Sequence, residues 1–241
     1  MGAEWVQTTP RLGVVKAMAH HWVIGDVHGC HQALEALVAL IPSADHLVFC
    51  GDVVGRGPAV RASIETVWDL VCSGPATWLQ GNHEQRLIDQ TDLQQSVWPG
   101  DPEAIERWLE RLQGLPMVFE GQGWVATHAG FDAQGQPNLE IREPFWQGYD
   151  GRFGKVVVAH TPAMDVRRQG QIVIIDTGAV YGGSLTAYCP ETDAVVQVHG
   201  AAPVSAGRHK TLTKTRAALA KSHPTGSKEA VVTAGLNRAP C

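Results

Sequence analysis

Long hydrophobic runs are missing from this 241-residue chain. None approaches the roughly 18 consecutive apolar residues of a membrane-crossing helix, so no membrane span is expected. Arg11, Lys16 and His20 interrupt every candidate apolar leader, which argues against a secretory signal. Cysteine is sparse: the five present are odd in number and form no C-x-x-C pair, which argues against a disulfide framework and places the protein in the reducing cytoplasm. No repeat of solenoid period is visible. The 44% hydrophobic content is near the globular average, so a disorder-like composition is excluded for the chain as a whole.

What is present is unevenly distributed. The net charge is −5, yet residues 200–241 carry seven Lys/Arg against one acid, Glu229, a local charge of +6 that leaves −11 on the rest. That segment is rich in Ala, Ser, Thr, Gly and Pro, and it reads as a disordered basic tail beyond about Pro203. No aromatic side chain interleaves its charges, so no specific nucleic-acid binding is expected. The organisation read from composition is an N-terminal extension over 1–20, one enzyme-sized domain over 21–200 and the tail over 201–241. Oligomeric state is not legible.

Six short apolar runs stop abruptly at an acidic or metal-loving residue. They are Trp22–Ile24 before Gly25-Asp26-Val27-His28-Gly29, Leu47–Cys50 before Gly51-Asp52, Trp78–Leu79 before Gly81-Asn82-His83-Glu84, Trp124–Ala126 before His128, Val156–Ala159 before His160, and Ile172–Ile175 before Asp176. Buried parallel strands carry such runs, and α/β proteins place ligands just past their carboxyl ends. Helical spacing at Leu34, Leu37, Val38 and Ile41, and again from Pro58 through Val71, makes the first half read βαβαβα. Asp101-Pro102 begins a further helix with Ile105, Trp108 and Leu112 inward. Beyond Met117 the rhythm changes to hairpins, turning at 121–123, at 169–170 and within 184–199.

The residue types at these stops define a chemistry. Asp26 and His28, one residue apart, can face the same side of an extended segment, and with Asp52 they offer oxygen and imidazole donors to a divalent cation. Asn82, His128 and His160 can complete a second position with Asp52 bridging. Two cations roughly 3.5–4 Å apart would activate a shared water for in-line displacement at phosphorus. Arg56 supplies a planar fork for phosphate oxygens, and His83 is free to protonate a leaving oxygen.

The set GDVHG (25–29), GDVVGRGP (51–58), GNHE (81–84), HAG (128–130) and HTP (160–162) resembles the calcineurin-like metallophosphoesterases of the phosphoprotein phosphatase superfamily. That superfamily includes small bacterial and phage Ser/Thr-type phosphatases and symmetrical bis(5'-nucleosyl)-tetraphosphatases. The resemblance runs from Trp22 to Tyr188. It implies an α/β four-layer fold, two mixed β-sheets packed as a sandwich and flanked by helices. It also implies two divalent cations, manganese before iron or zinc, held by Asp26, His28 and Asp52 and by Asp52, Asn82, His128 and His160. His83 would be the general acid, while Arg56, Asn82 and Arg142 would bind substrate. The expected substrate is a phosphorylated protein or a dinucleoside polyphosphate. GNHE and the ending at 175–186 place the chain nearest the small Ser/Thr-type phosphatases, with the tetraphosphatase as the alternative and a non-catalytic metal-binding scaffold as a minor one.

One departure bears on substrate. Protein phosphatases of the superfamily carry GDxVDRG, whose second aspartate supports the catalytic histidine, but here that place is Gly55. A phosphoanhydride leaving group needs less protonation than an alkoxide, so Gly55 favours the tetraphosphatase. Trp98, beside Pro99-Gly100, is a candidate lid residue for stacking a base. Asp176 is expected either to orient a metal-ligating histidine or to cap its own Asp-Thr-Gly turn. Cys50 and Arg56 also match the C-x5-R spacing of cysteine-dependent phosphatases, a reading that Asp52 opposes by putting a carboxylate inside the phosphate cradle.

Overall fold

A computed structural model describes residues 19–200 of the chain. Residues 1–18 and 201–241, and with them the expectations for the N-terminal extension and the basic tail, lie outside the described residues. The strands are β1 (His21–Ile24), β2 (His46–Phe49), β3 (Ala76–Trp78), β4 (Val118–Glu120), β5 (Trp124–Thr127), β6 (Gly130–Phe131), β7 (Pro137–Asn138), β8 (Lys155–Val158), β9 (Arg167–Gln169), β10 (Ile172–Ile174), β11 (Ser184–Tyr188) and β12 (Val195–His199). The helices are α1 (His31–Leu40), α2 (Val60–Ser73), α3 (Asn82–Asp89), α4 (Thr91–Val97), α5 (Pro102–Gln113) and α6 (Glu143–Gly148). No helix among the described residues is long and apolar enough to cross a membrane.

Ten strands form two five-stranded mixed sheets, ordered β12-β11-β1-β2-β3 and β4-β5-β8-β10-β9. Each sheet has three adjacent parallel strands: β1-β2-β3 run to one edge of the first, with antiparallel β11 and β12 on the other side, and β5-β8-β10 form the centre of the second, with antiparallel β4 and β9 at its margins. The alternating side chains of these strands build the layers. Val23, Val48, Val157 and Val173 point between the sheets, together with Leu79, Trp124 and Tyr188. Their neighbours Trp22, Ile24, Leu47 and Phe49 meet the helices covering the first sheet, while Val156, Val158, Ile172 and Ile174 pack with Phe145 and Trp146 of α6 on the second. Helices, sheet, sheet and helix are the four expected layers.

The parallel strands matter most, because all six apolar runs end at the same edge of the sandwich. Two elements differ from the sequence reading. The second helix begins at Val60 rather than at Pro58, because the Gly57 and Ala59 amides donate to the carbonyls of His28 and Gly29 and hold Pro58 and Ala59 in a turn ahead of the helix. Trp98 is no lid: it is fully buried and stacks on Trp108 with an interplanar angle of 11°.

Candidate metal centre

The loops after β1, β2, β3, β5, β8 and β10, with Arg142 from the segment between β7 and α6, bring the nominated ligand and substrate-binding residues to one place. A cavity of about 480 Å³ is lined by Asp26, His28, Asp52, Arg56, Asn82, His83, Arg142 and His160, with Asp176 also on its wall. His128 lies buried beneath, its Nε2 3.1 Å from Asn82 Oδ1 and 3.5 Å from Asp52 Oδ1. His160 Nδ1 is 3.2 Å from both Asn82 Oδ1 and His128 Nε2. On the other side of Asp52, His28 Nε2 is 3.6 Å from Asp52 Oδ2 and 3.7 Å from Asp26 Oδ2. The two oxygens of Asp52 thus face two different donor groups, an arrangement open to a carboxylate shared between two cations.

Hydrogen bonds on the outer edges of the rings test whether cations fit. His28 Nδ1 lies 2.9 Å from the Val54 carbonyl, and His128 Nδ1 lies 2.8 Å from that of Cys50. A carbonyl can only accept, so both Nδ1 atoms carry the proton and both Nε2 lone pairs point at carboxylate oxygens. Burial keeps the rings neutral, lowering His28 and His128 to about 4 and His160 to about 3. The acids shift the opposite way. Burial raises Asp52 to about 7 and Asp176 to about 6, and burial with the charges of Asp176 and Asp52 raises Asp26 well above the usual carboxylate range. Unprotonated nitrogens facing crowded carboxylates repel one another; divalent cations between them would remove that repulsion.

The backbone is shaped for these contacts. His28, Asp52 and His160 all take positive φ, at 46°, 50° and 66°, where non-glycine residues cost of order 1–3 kcal/mol each. The strain turns each side chain sharply off the end of its strand. Gly51 and Gly81 let two loops touch: a Cβ at Gly51 would lie 2.7 Å from the Gly81 Cα and 2.8 Å from His128 Nδ1. Glu84 locks this junction. Fully buried, it accepts hydrogen bonds from the amides of Asp52 (2.7 Å), Gly81 (2.9 Å) and Val54 (3.1 Å). This role was invisible in sequence, where Glu84 served only as a subfamily mark. Its signal was its place three residues past the helix N-cap, where a glutamate turns back to the cap amide.

Gly55 has a steric reason to be glycine. Its φ is 129°, and a Cβ there would lie 2.7 Å from His28 Nδ1 and 2.8 Å from His83 Nδ1. The two imidazoles, packed edge to face at 4.6 Å, occupy the space an aspartate would need. His83 also groups with His28 and Asp52 within 4.8 Å, but its Nε2 stays 4.0 Å from Asp52 Oδ2 and its ring is less buried than theirs. Burial, with the neighbouring charges of His28 and Arg56, lowers it to about 3.

Three arginines surround the cavity. The Arg56 guanidinium lies 5.9 Å from the Tyr181 ring centre, and Arg142 Nε donates to His160 Nε2 at 3.2 Å. Arg86 was missed in sequence; it sits one turn after His83 on α3 and pairs with Glu140 at 3.4 Å. The spacing of three residues on one helix was the available signal. Asp176 caps its own turn, accepting from the Gly178 amide at 3.0 Å, and the ionisable group it stands against is the carboxyl of Asp26, not a histidine. Cys50 serves no phosphate loop. Its thiol is buried between the sheets, donates to the Thr127 carbonyl and is raised by burial.

The chain belongs to the calcineurin-like phosphoesterase family, whose model matches residues 20–197. Members of this family use a dinuclear divalent metal centre, and the clusters around Asp52 supply candidate ligands for one. Curated relatives include proteins named asymmetrical bis(5'-nucleosyl)-tetraphosphatase PrpE. The one from Bacillus cereus ATCC 14579 is 27% identical over 216 residues, covering 68% of this chain and 87% of its own. The one from Geobacillus thermodenitrificans is 29% identical over 219 residues, covering 70% and 89%. Among solved structures, one named as a diadenosine tetraphosphatase superposes with a TM-score of 0.61 at 22% identity, covering 77% of this chain and 96% of its own. A Pyrococcus horikoshii protein of similar fold gives 0.53 at 15% identity, covering 76% and 88%.

Proposed function

We propose that this metallophosphoesterase hydrolyses a phosphoanhydride bond of a bis(5'-nucleosyl) tetraphosphate in the cytoplasm. The observation that carries the reading is the crowding at Gly55. No carboxylate stands at position 55 on the Nδ1 side of His83, and the imidazoles of His28 and His83 fill the space one would need. An imidazolium at His83 is therefore unsupported, and a leaving group that departs as a stable phosphate anion is favoured over a serine alkoxide. The inward turn of Glu84 weakens the main pointer to a protein phosphatase, because that residue builds the loop junction and does not face substrate. The names of the curated relatives agree with the nucleotide reading.

In this proposal Asp26, His28 and Asp52 hold one divalent cation, and Asp52, Asn82, His128 and His160 the other. Manganese is the first choice for such oxygen and imidazole donors, with iron or zinc also accommodated. When bound, the pair would supply Lewis-acid neutralisation of phosphoryl oxygens and a water acidic enough to attack. The protein's own groups do the rest. Arg56 and Arg142 hold the equatorial oxygens, Asn82 faces the phosphoryl group, and His83 Nε2 hydrogen bonds to the leaving oxygen.

Manganese-loaded protein is expected to cleave diadenosine tetraphosphate with a kcat/KM at least 100-fold above that for a phosphoserine peptide. A cut off-centre, as in the relatives' printed names, leaves AMP and ATP, whereas a central cut leaves two ADP; chromatography of the products distinguishes them. Faster turnover of the phosphopeptide would overturn the reading. Arg142→Ala should lower kcat/KM on the dinucleotide by roughly tenfold or more, the worth of one charge-assisted phosphate contact. Unchanged kinetics would remove Arg142 from the site.

A further inference from the structure

His83 belongs to two cavities. One is the metal cavity; the other, of about 620 Å³, runs from the loop at Val54 and Gly55 between α2 and the helices α3 and α4, and is lined by none of the nominated cation ligands. Its volume falls in the ~300–1,000 Å³ range of small-molecule sites.

The two cavities differ in chemistry. The metal cavity gathers Arg56, Arg86 and Arg142, which suit an extended phosphate chain. The second has an aliphatic wall of Val60, Leu87, Leu93 and Val97. Its one cation, Arg61, is already paired with Glu65 at 2.9 Å, one turn along α2. A phosphate would have to share that guanidinium with a carboxylate, whereas a flat uncharged ring with an N–H edge would find apolar faces and the Ser96 oxygen, which donates to the Leu93 carbonyl at 2.7 Å and can still accept. Leu93, at 37% exposure, is one of the few large apolar side chains at the surface of the described residues, and it stands on this wall.

We propose that this second cavity receives the nucleoside of the departing nucleotide, making α4 and the start of α2 a leaving-group specificity site. This rests on the reading above, in which His83 meets the leaving oxygen. A group bonded to that oxygen extends past His83, and the cavity on whose wall His83 also lies is where it arrives. Gly55 contributes again: lining the second cavity without a side chain, it leaves the His83 ring uncovered. The neighbouring residues on α4 then discriminate between leaving groups without touching the reacting phosphorus.

The test compares the manganese-loaded full chain with Ser96→Trp, which places a large ring from an exposed helical position into the cavity. Calorimetric titration with AMP and, separately, with inorganic phosphate reads the site without turnover. The wild type is expected to bind AMP at least tenfold more tightly than phosphate. Ser96→Trp should abolish that preference while leaving phosphate affinity within twofold, and its kcat/KM on diadenosine tetraphosphate should fall at least tenfold relative to inorganic tripolyphosphate. Leu93→Glu, which charges the same wall, should act likewise and serves if the first variant does not fold. An AMP preference that survives both substitutions, or no preference in the wild type, overturns the proposal. AMP binding sensitive to these substitutions in a protein that does not cleave the dinucleotide would uphold the nucleoside site and refute the assigned reaction instead.

Discussion

Asp52→Asn is expected to reduce kcat by a factor of order 10³ while making the metal-free protein more stable. The two effects share one cause. Asp52 Oδ1 accepts from the His83 amide at 2.8 Å, and asparagine can keep that bond through its carbonyl oxygen. The other oxygen, near His28 Nε2, becomes an NH2 that can donate to the ring but cannot bridge cations. Asparagine also tolerates the positive φ at this position better than most residues.

The stability gain follows from the charge that is removed. Burial raises the folded-state pKa of Asp52 to about 7 from an ordinary value of 3.8. A carboxyl raised in this way favours the fold fully only below its unfolded pKa, and its contribution is lost as pH climbs through about 7. Asp26 and Asp176, both raised, have the same sign. The neutral imidazoles of His28, His83, His128 and His160 have the opposite sign, costing stability as pH falls through about 6.5, so the acids show in the variant and not in the wild-type slope: the gain from Asp52→Asn should be larger at pH 8 than at pH 5 and vanish with added manganese. Asp52→Asn should raise the pH 8 melting temperature of chelated protein by roughly 5 °C or more, a few kcal/mol in a domain of this size. A stabilisation by Asp52→Asn that is no larger at pH 8 than at pH 5 would refute the account of crowded acids.

Glu84→Ala is expected to be the most destabilising single change near the site. It leaves three amides, of Asp52, Val54 and Gly81, without partners in a closed interior, at about 1–3 kcal/mol each. Glu84→Gln should cost less, because its carbonyl oxygen can still accept from Asp52 and Gly81 while only the Val54 amide meets a donor. Both variants should lose activity beyond their loss of fold, since the Val54 carbonyl orients His28 and the Asp52 backbone aims the bridging carboxylate. Denaturant midpoints of the metal-loaded proteins would show the order wild type, Gln, Ala. If both variants fell within 1 kcal/mol of wild type, the junction role would be wrong.

Local pattern carried much of this protein. Each parallel strand contributes an apolar run, and each run stops at a polar side chain because the chain leaves the interior there, so Asp26, His28, Asp52, Asn82, His128 and His160 were legible one segment at a time. Where neighbours distant in sequence set the outcome, the sequence was silent or misleading. Trp98 looked available beside Pro99-Gly100, yet α5 brings Trp108 against its face and buries it. Pro58 looked like a helix start, yet hydrogen bonds to residues 28 and 29 delay α2.

The sequence by itself determined the donor set and the family, since ligand types and their placement at strand ends are properties of short segments. Only the tertiary structure decided how those donors divide. The six ends come from two separate sheets, whose meeting sets Asp52 between His28 and His128, while the side-by-side pairing of β1, β2 and β3 turns Glu84 toward Asp52 and Val54 and presses His28 and His83 into the space beside Gly55. Contacts of that kind span 26 to 78 residues of chain and depend on how layers pack, which no local pattern encodes.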